Sequence, residues 1–431
     1  MICRFKYGFE TIEFDIPQKN ILALIEVKEN DVKKDNLVVL KEALSKPVAS
    51  PVLPEAVKEK KVLLLVEDAT RDVSFRDIFQ VIVPQLVQAK FVYAIICTGT
   101  HDPDLPGNDQ IKQSLSDEFK KNNFRKFEIK AHDCRKGNFV DCGMTSFGNR
   151  VLANPVIEDV GVFLALSDMK NHYFAGYSNA IKDFLPGICA LETTERNHAM
   201  ALKDEATFGY HPWHPDFNRR NNPLAKDMEE GFRLITKDRP SYALVTIEKE
   251  HKILWSAFGN LEEVTQQGIL QVDEMMSQTV EPADFLIVSS GGYPNDETIY
   301  TAQRALELSK AAVKPGGKIL FLAECRNGIG PQSAKENFFD LLARPLDEVF
   351  HLLEQEYIMY SHKAYKFARL IDRCSFIGIH TRLSKSEVER IHLTFVDDPV
   401  KLVKKELEAN PNVTFNLVND GNKIALHARS R

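Results

Sequence analysis

Residues 62–71 read VLLLVEDATR: five apolar residues in a row, then two acids, two small residues and an arginine. A short unbroken apolar run that ends abruptly in polar residues is the pattern of a strand buried on both faces of a parallel sheet. The pattern recurs at FVYAIIC (91–97), which runs into TGTHDPD, and at GVFLALS (161–167), which runs into DMKNHYFAGYS. Helical periodicity fills the intervals at FRDIFQVIVPQLVQ (75–88) and QIKQSLSDEFKKN (110–122), with Pro84 expected early in the first helix or at a kink in it. FEIKAHD (127–133) is a further strand. This alternation predicts an α/β domain with a mostly parallel sheet.

Outward from that core, residues 2–27 read as two antiparallel strands, FKYGFETIEFDI and ILALIEV, in an edge hairpin, and EAVKEKK (55–61) as a charged turn. The aromatic, Pro- and Asn-rich stretch 205–225 reads as a long structured loop, and 241–259 as two strands followed by a helix. A second alternating block begins at DFLIVSS (284–290). It continues through a helix at 300–313, a strand at 316–324, helical FFDLLARPLDEVFHLLE, and strands at 375–380 and 413–418. A chain of 431 residues is too long for one core. The expected architecture is therefore two α/β domains with mostly parallel sheets, 1–275 and 276–409, facing each other across an active-site cleft. The tail from about 410 to 431 is expected to return to the first domain.

The composition is that of a globular protein, 44% hydrophobic and 27% charged, with a net charge of −6. No basic excess is present to neutralise phosphates, which argues against nucleic-acid or membrane-surface partners. No apolar run reaches about 18 residues, so no membrane span is expected. The first residues lack the apolar core of a signal peptide, and the seven cysteines are scattered, which fits a reducing, cytoplasmic setting.

In an open α/β sheet, ligands bind beyond the carboxyl ends of the strands. Those ends deliver Asp68, Thr70 and Arg71 after the first run and His101 after the second. After the third come Asp168 and His172, then Lys182 past a Gly-containing turn. Singly, each is by default a solvated loop residue: Arg71 could pair with Asp68 or Asp72, His101 could cap a turn, and Lys182 could be the wet side of a helix. Together they describe a polar, cationic site. Two histidines suit an acid/base pair, an arginine suits a carboxylate, and a lysine in apolar surroundings suits a covalent adduct. His198 alone cannot hold a metal, and His211 and His214, in HPWHP, are a weak zinc pattern. Neither a G-x-G-x-x-G fingerprint after a strand, a P-loop nor a G-x-S-x-G elbow is present.

Asp68-Ala-Thr-Arg71, Gly99-Thr-His101, His172-Tyr-Phe-Ala-Gly-Tyr-Ser178 with Lys182 and Pro186-Gly187, and then Asn197-His198 together resemble the nickel-pincer-nucleotide-dependent lactate racemase family. The order and spacing agree over about residues 60–200, and Gly291-Gly-Tyr-Pro-x-Asp296 with Tyr300 extends the likeness into the second block. The resemblance implies an isomerase, a racemase or epimerase of a small 2-hydroxy acid. It implies a pyridinium thioamide–thiocarboxylate mononucleotide carrying nickel, attached at Lys182, with Gly176 and Ser178 beside it and His198 as the protein's nickel ligand. Gly176 and its small neighbours would let the backbone approach this flat group. Reversible hydride transfer from Cα is the implied chemistry, with His101 and His172 as the acid/base pair on opposite faces of the substrate. Arg71 and Asp68, with Tyr300 and Arg304 from the second block, would bind it. Cofactor-synthesis enzymes become implied partners. Where the family has Gly-Gly before the lysine, proline before the first histidine, and glutamine and lysine after the tyrosine, this chain has Asn179-Ala180, Asn171, Thr301 and Arg304. Those changes put lactate itself in question and open the choice to a dicarboxylate or sugar acid, with the loop around Trp213 expected to close over it. The alternatives are a nicotinamide-type oxidoreductase, which the missing glycine fingerprint disfavours, and a non-catalytic carboxylate-binding protein on the same fold.

Overall fold

The structure, a computed structural model, describes residues 1–27, 34–71 and 73–429. It is an α/β protein with mostly parallel sheets, and the chain divides into two compact units, Glu29–Asp273 and Met1–Lys28 with Glu274–Arg431.

The Glu29–Asp273 unit is built on a six-stranded sheet in the order 252–260, 241–249, 162–168, 61–67, 91–97, 127–131. All neighbours are parallel except the 252–260 edge strand, which runs antiparallel to 241–249. The three apolar runs are its central strands. Val62, Leu63, Leu64, Leu65 and Val66 are all 0% exposed, so both faces are covered, as an unbroken apolar run requires. Each such side chain contributes about 1.5–3 kcal/mol by leaving water. Helix Phe75–Leu86 turns Ile78, Phe79, Ile82, Val83 and Leu86 into this core. Pro84 sits in its last turn rather than early in it, so the helix lacks the bond that an amide at this position would make to the Gln80 carbonyl. Register decides where the chemistry goes. Glu67 pairs with Cys97, and Val66 with both Ile96 and Leu166, so the three carboxyl ends leave the sheet at one level.

The other unit has its own six-stranded sheet in the order 394–395, 376–380, 313–322, 283–289, 415–418, 21–25, parallel throughout. Its first strand comes from the start of the chain, which corrects the expected 1–275 domain. FKYGFETIEFDI is not one strand but most of a hairpin, Ile2–Tyr7 with Glu10–Asp15. The inward face of that hairpin, Cys3, Phe5, Tyr7 and Phe14, packs with Phe285, Ile287, Leu320 and Leu322. ILALI (21–25) then pairs with Phe415–Val418. The tail also stays in this unit, with Ala425–Ala428 parallel to Ser277–Val280, rather than returning to the first. The expected charged turn at 55–61 opens as a short helix, Leu53–Val57. The expected helical stretch around residue 340 divides into a π-helical turn, Lys335–Asp340, and a helix, Leu346–Gln355. Among the described residues no helix is long and apolar enough to cross a membrane, and all seven cysteines are thiols, most of them buried.

Candidate active site

Asp68 is the hub of the site. It follows the 61–67 strand directly and is 1% exposed. Its carboxylate accepts from His101 Nδ1 at 2.6 Å and from the Thr70 hydroxyl at 2.6 Å and amide at 3.2 Å. Burial alone would raise the carboxyl's pKa, but His101, Arg71 and Thr70 together hold it below its ordinary value. His101 reaches Asp68 because the chain reverses tightly after the 91–97 strand. Its amide donates to the Thr98 carbonyl at 2.9 Å around Gly99, whose φ of +55° suits glycine. The Gly99 amide donates to the Gly187 carbonyl at 3.2 Å, tying this turn to the Lys182 segment.

Arg71 sits among acids. Burial lowers its pKa, but Glu67, Asp68, Asp168 and Asp183 outweigh that and raise it. Glu67 Oε1 is 3.9 Å from Arg71 Nε, and Glu67 Oε2 accepts from the Asp168 amide at 2.9 Å. Burial pushes the Glu67 carboxyl up to about 7, and it pushes Asp183, which accepts a bond from the Ser167 hydroxyl, well above its ordinary value. Asp168 pairs with Lys170. Asp72 lies outside the described residues. Glu67, at a strand end, and Asp183, in the turn Ala180–Asp183, are not singled out by the sequence because acids at such places read as solvated; their burial becomes visible only with the fold.

Lys182 lies in a 3₁₀ turn, Ala180–Asp183. Asn179 caps it, accepting from the Ile181 amide at 3.0 Å and donating to the Tyr177 carbonyl at 3.1 Å. The turn closes through the Gly187 amide on the Lys182 carbonyl at 2.8 Å, and a Cβ at Gly187 would lie 2.1 Å from the Asp183 carbonyl oxygen. Asn179 therefore does a positive job at this chain's departure from Gly-Gly: it fixes the turn by a cap.

His172 ends the short strand Lys170–His172, which pairs with Gly176–Ser178. Its Nδ1 accepts from the Ala175 amide at 3.2 Å. Phe174 stands edge-on to both His172, at 4.4 Å between centroids, and His198, at 5.3 Å. His198 lies near the end of helix Leu191–Ala199. Burial and the Lys182 ammonium push its pKa down to about 3, which keeps the imidazole neutral.

The 205–222 loop packs on Gly176, with φ +79°: a Cβ there would lie 1.8 Å from the Tyr210 carbonyl oxygen. The same loop corrects one expectation. Trp213 is 4% exposed and packs on His211 and Phe232, so it is a fixed interior residue and not a closing flap. The loop is pinned by Asp273, which bonds Tyr177 at 2.7 Å, His214 at 3.2 Å and Arg219, and by Asn222, which donates to the Phe174 carbonyl at 2.9 Å. His211 is fully buried, lies 3.3 Å from Asn179 Nδ2 and accepts from the Trp213 amide. Neither loop histidine joins a metal-binding cluster among the described residues.

Asp68, Arg71, His101, His172, Gly176, Ser178, Lys182 and His198 thus all belong to one unit. Tyr300 and Arg304 belong to the other, on helix Ile299–Ser309. Thr301 bonds back to Thr298 in a capping box, so its hydroxyl serves the helix end. Tyr300 is wedged against Phe338 and Tyr360.

The model of the lactate racemase N-terminal domain matches residues 7–209, and that of the lactate racemase C-terminal domain matches residues 278–424. The chain belongs to the lactate racemase family. It is accordingly an isomerase of the racemase type. It is 26% identical over 332 residues to a lactate racemase of Thermoanaerobacterium thermosaccharolyticum, covering 75% of this chain and 74% of that one. It is 25% identical over 306 residues to a lactate racemase of Lactiplantibacillus plantarum, covering 70% and 69%. The solved lactate racemase apoprotein from Thermoanaerobacterium thermosaccharolyticum shares the fold, with a TM-score of 0.86 at 22% identity over 99% of this chain and 100% of that one. A Thermotoga maritima protein of solved structure follows it at a TM-score of 0.64 and 16% identity, covering 93% and 100%.

The nickel group that lactate racemases imply can be tested against the residues present. His198 is a neutral imidazole, the form that ligates a metal. Among the described residues no three His, Cys, Asp or Glu side chains form a cage, so His198 suits a metal whose carrier brings its own donors. The Ser178 hydroxyl is buried and has no hydrogen-bond partner among the described residues, a ready donor for a polar group. The residues fit.

Proposed function

We propose that this chain interconverts the two configurations of a 2-hydroxy acid by reversible hydride transfer at Cα. Arg71 holds the carboxylate, and His101 and His172 move the hydroxyl proton. The reading rests on the Asp68–His101 bond in a site that also contains Arg71, Lys182 and His198. The named lactate racemases support the reaction class.

Asp68 accepts at His101 Nδ1, which leaves the Nε2 lone pair of a neutral ring as the base for the hydroxyl proton. His172 is wired the other way: Nδ1 accepts from the Ala175 amide, so a neutral ring carries its proton on Nε2 and holds the substrate oxygen as a hydrogen-bond donor. The proton that His101 takes up as imidazolium is the one it returns to oxygen, and for the opposite enantiomer the imidazolium form of His172 would be the acid. Four ionised carboxylates around Arg71 would repel a carboxylate substrate. The raised pKa values of Glu67 and Asp183 keep protons on that cluster, so the guanidinium retains attraction for the substrate. Lys182 would anchor a nickel pincer nucleotide, His198 would ligate its metal and Ser178 would donate to it. When bound, that group supplies a reversible acceptor for the Cα hydride. Enzymes that synthesise it are required partners.

The test is chiral chromatography of single-enantiomer 2-hydroxy acids, run in deuterium oxide with protein co-expressed with a cofactor-synthesis set. Loss of enantiomeric purity with protium retained at Cα is expected. Solvent deuterium at Cα would mean proton abstraction and would overturn the hydride reading.

A further inference from the structure

Within the Glu29–Asp273 unit, helix Pro223–Thr236 meets the site at two places, both through polar bonds. Asn222 caps the helix by accepting from the Ala225 amide, and it donates to the Phe174 carbonyl at 2.9 Å, which holds the turn after His172. Farther along, the Leu224 carbonyl and the Asp227 carboxylate both accept from Asn197 Nδ2, at 3.1 and 2.8 Å. Asn197 directly precedes His198 on helix Leu191–Ala199. Successive helical positions point about 100° apart, so Asn197 faces Asp227 while His198 stands against Phe174. His198 is one residue from the end of this helix, where the hydrogen-bond ladder runs out and the chain frays most readily. The Asn197 bonds tie down that last turn.

Asp227 gathers more than Asn197. Its Oδ2 also accepts from Asn149 Nδ2 at 2.8 Å, and its Oδ1 accepts from the Thr145 hydroxyl at 2.6 Å. Asn149 Nδ2 in turn donates to the Thr193 carbonyl at 3.1 Å. The Thr193 hydroxyl accepts from the Leu152 amide and donates to the Arg150 carbonyl. The helix of His198 is thus referred at both ends to one carboxylate. Asp227 and Asn197 are both 0% exposed. The three donors to Asp227 are neutral, and a buried carboxylate served only by neutral donors is a costly way to fill space. What the carboxylate adds is direction. It only accepts, so it takes each asparagine by its N–H side alone. Asn149 and Asn197 are held that way round although their own side-chain oxygens are buried without a hydrogen-bond partner among the described residues.

We propose that Asp227 positions His198 for nickel, acting through Asn197. The proposal rests on the reading of His198 as the nickel ligand. A metal–nitrogen bond demands a ring fixed to within about 0.5 Å, and the groups that fix a ligand from behind are typically worth 10- to 100-fold in metal affinity or activity.

The test times nickel loss to excess chelator, and records the visible absorption of the bound nickel, in chains co-expressed with the cofactor-synthesis enzymes and matched for Lys182 adduct by intact mass. Asp227→Asn and Asn197→Ala are expected to release nickel about 10- to 100-fold faster than the parent, with a shifted spectrum. Thr145→Val removes a bond to the same carboxylate without touching Asn197. It should lower Tm yet leave the release rate and spectrum those of the parent. Parent-like release from Asp227→Asn or from Asn197→Ala overturns the proposal, and where Asp227→Asn fails to fold, Asn197→Ala decides alone. Release from Thr145→Val as fast as from Asn197→Ala also overturns it, because general loosening would then be the cause. His198→Ala separates this failure from that of the ligand reading. If His198→Ala keeps its nickel as the parent does, or if the parent carries no adduct, the nickel reading fails and this proposal falls with it.

Discussion

Replacing Asp68 by asparagine tests the acid/base assignment at its hub. The carboxylate is 1% exposed and accepts a 2.6 Å bond from His101 Nδ1 while the Thr70 hydroxyl and amide hold its other side. The substitution keeps the shape and the Thr70 contacts but removes the charge. A charge-assisted hydrogen bond contributes about 1.5–3 kcal/mol, equivalent to roughly 10- to 150-fold in rate if it is felt in full as the imidazolium forms. The amide can also donate to Nδ1 and so favour the ring tautomer with its proton on Nε2, which disables His101 as a base. Together these predict a loss of on the order of 10² to 10⁴ in kcat with little change in KM. The assay is enantiomer interconversion at matched nickel and matched Lys182 adduct, which separates chemistry from loading. Folding provides a second readout. The Asp68 pKa is lowered in the native state, so its contribution is present above the ordinary carboxyl value and fades as pH falls through the lowered one. Asp68→Asn should lose that acid-limb dependence. A variant within about threefold of the parent rate at matched loading would refute the role given to Asp68.

Gly176→Ala should destabilise the Glu29–Asp273 unit by on the order of 3 kcal/mol or more, because its φ of +79° disfavours a Cβ that would also lie 1.8 Å from the Tyr210 carbonyl oxygen. Differential scanning calorimetry should show a fall in Tm of roughly 6–12 °C, and an unchanged Tm would contradict the packing described. Glu67→Gln tests the proton held in the acidic cluster. Its carboxyl is raised from 4.5 to about 7, so native protein holds a proton that unfolded chain has lost, and stability should fall as pH rises from 4.5 to 7. In urea titrations across that range the variant should show a flatter profile than the parent, and parallel profiles would remove Glu67 from the account.

The sequence made the central sheet legible because both faces of its strands are covered. Runs such as VLLLV and GVFLALS then become unbroken, and register forces their polar ends to one level. That is why the strand ends that carry Asp68, Arg71 and His101 could be placed together from position alone. Membership of the first 28 residues was not legible. The alternation in Ile2–Asp15 shows that one face is buried but not against which sheet, and Phe5 and Phe14 found Phe285 and Leu320 far along the chain. The acids Glu67 and Asp183 were hidden because sequence carries no measure of burial for a polar residue. Trp213 carried a functional expectation and proved to be a packing residue, since its ring is buried against His211 and Phe232.

The most direct test of the central claim is the intact mass and nickel content of the chain after co-expression with the cofactor-synthesis enzymes, with peptide mapping and a known lactate racemase as the loaded control. The account predicts an added mass confined to the peptide containing Lys182, with nickel in equal amount. An unmodified Lys182 beside a loaded control would contradict it, because Asn179 and Ala180 would then have closed the turn to the cofactor rather than positioned the lysine for it.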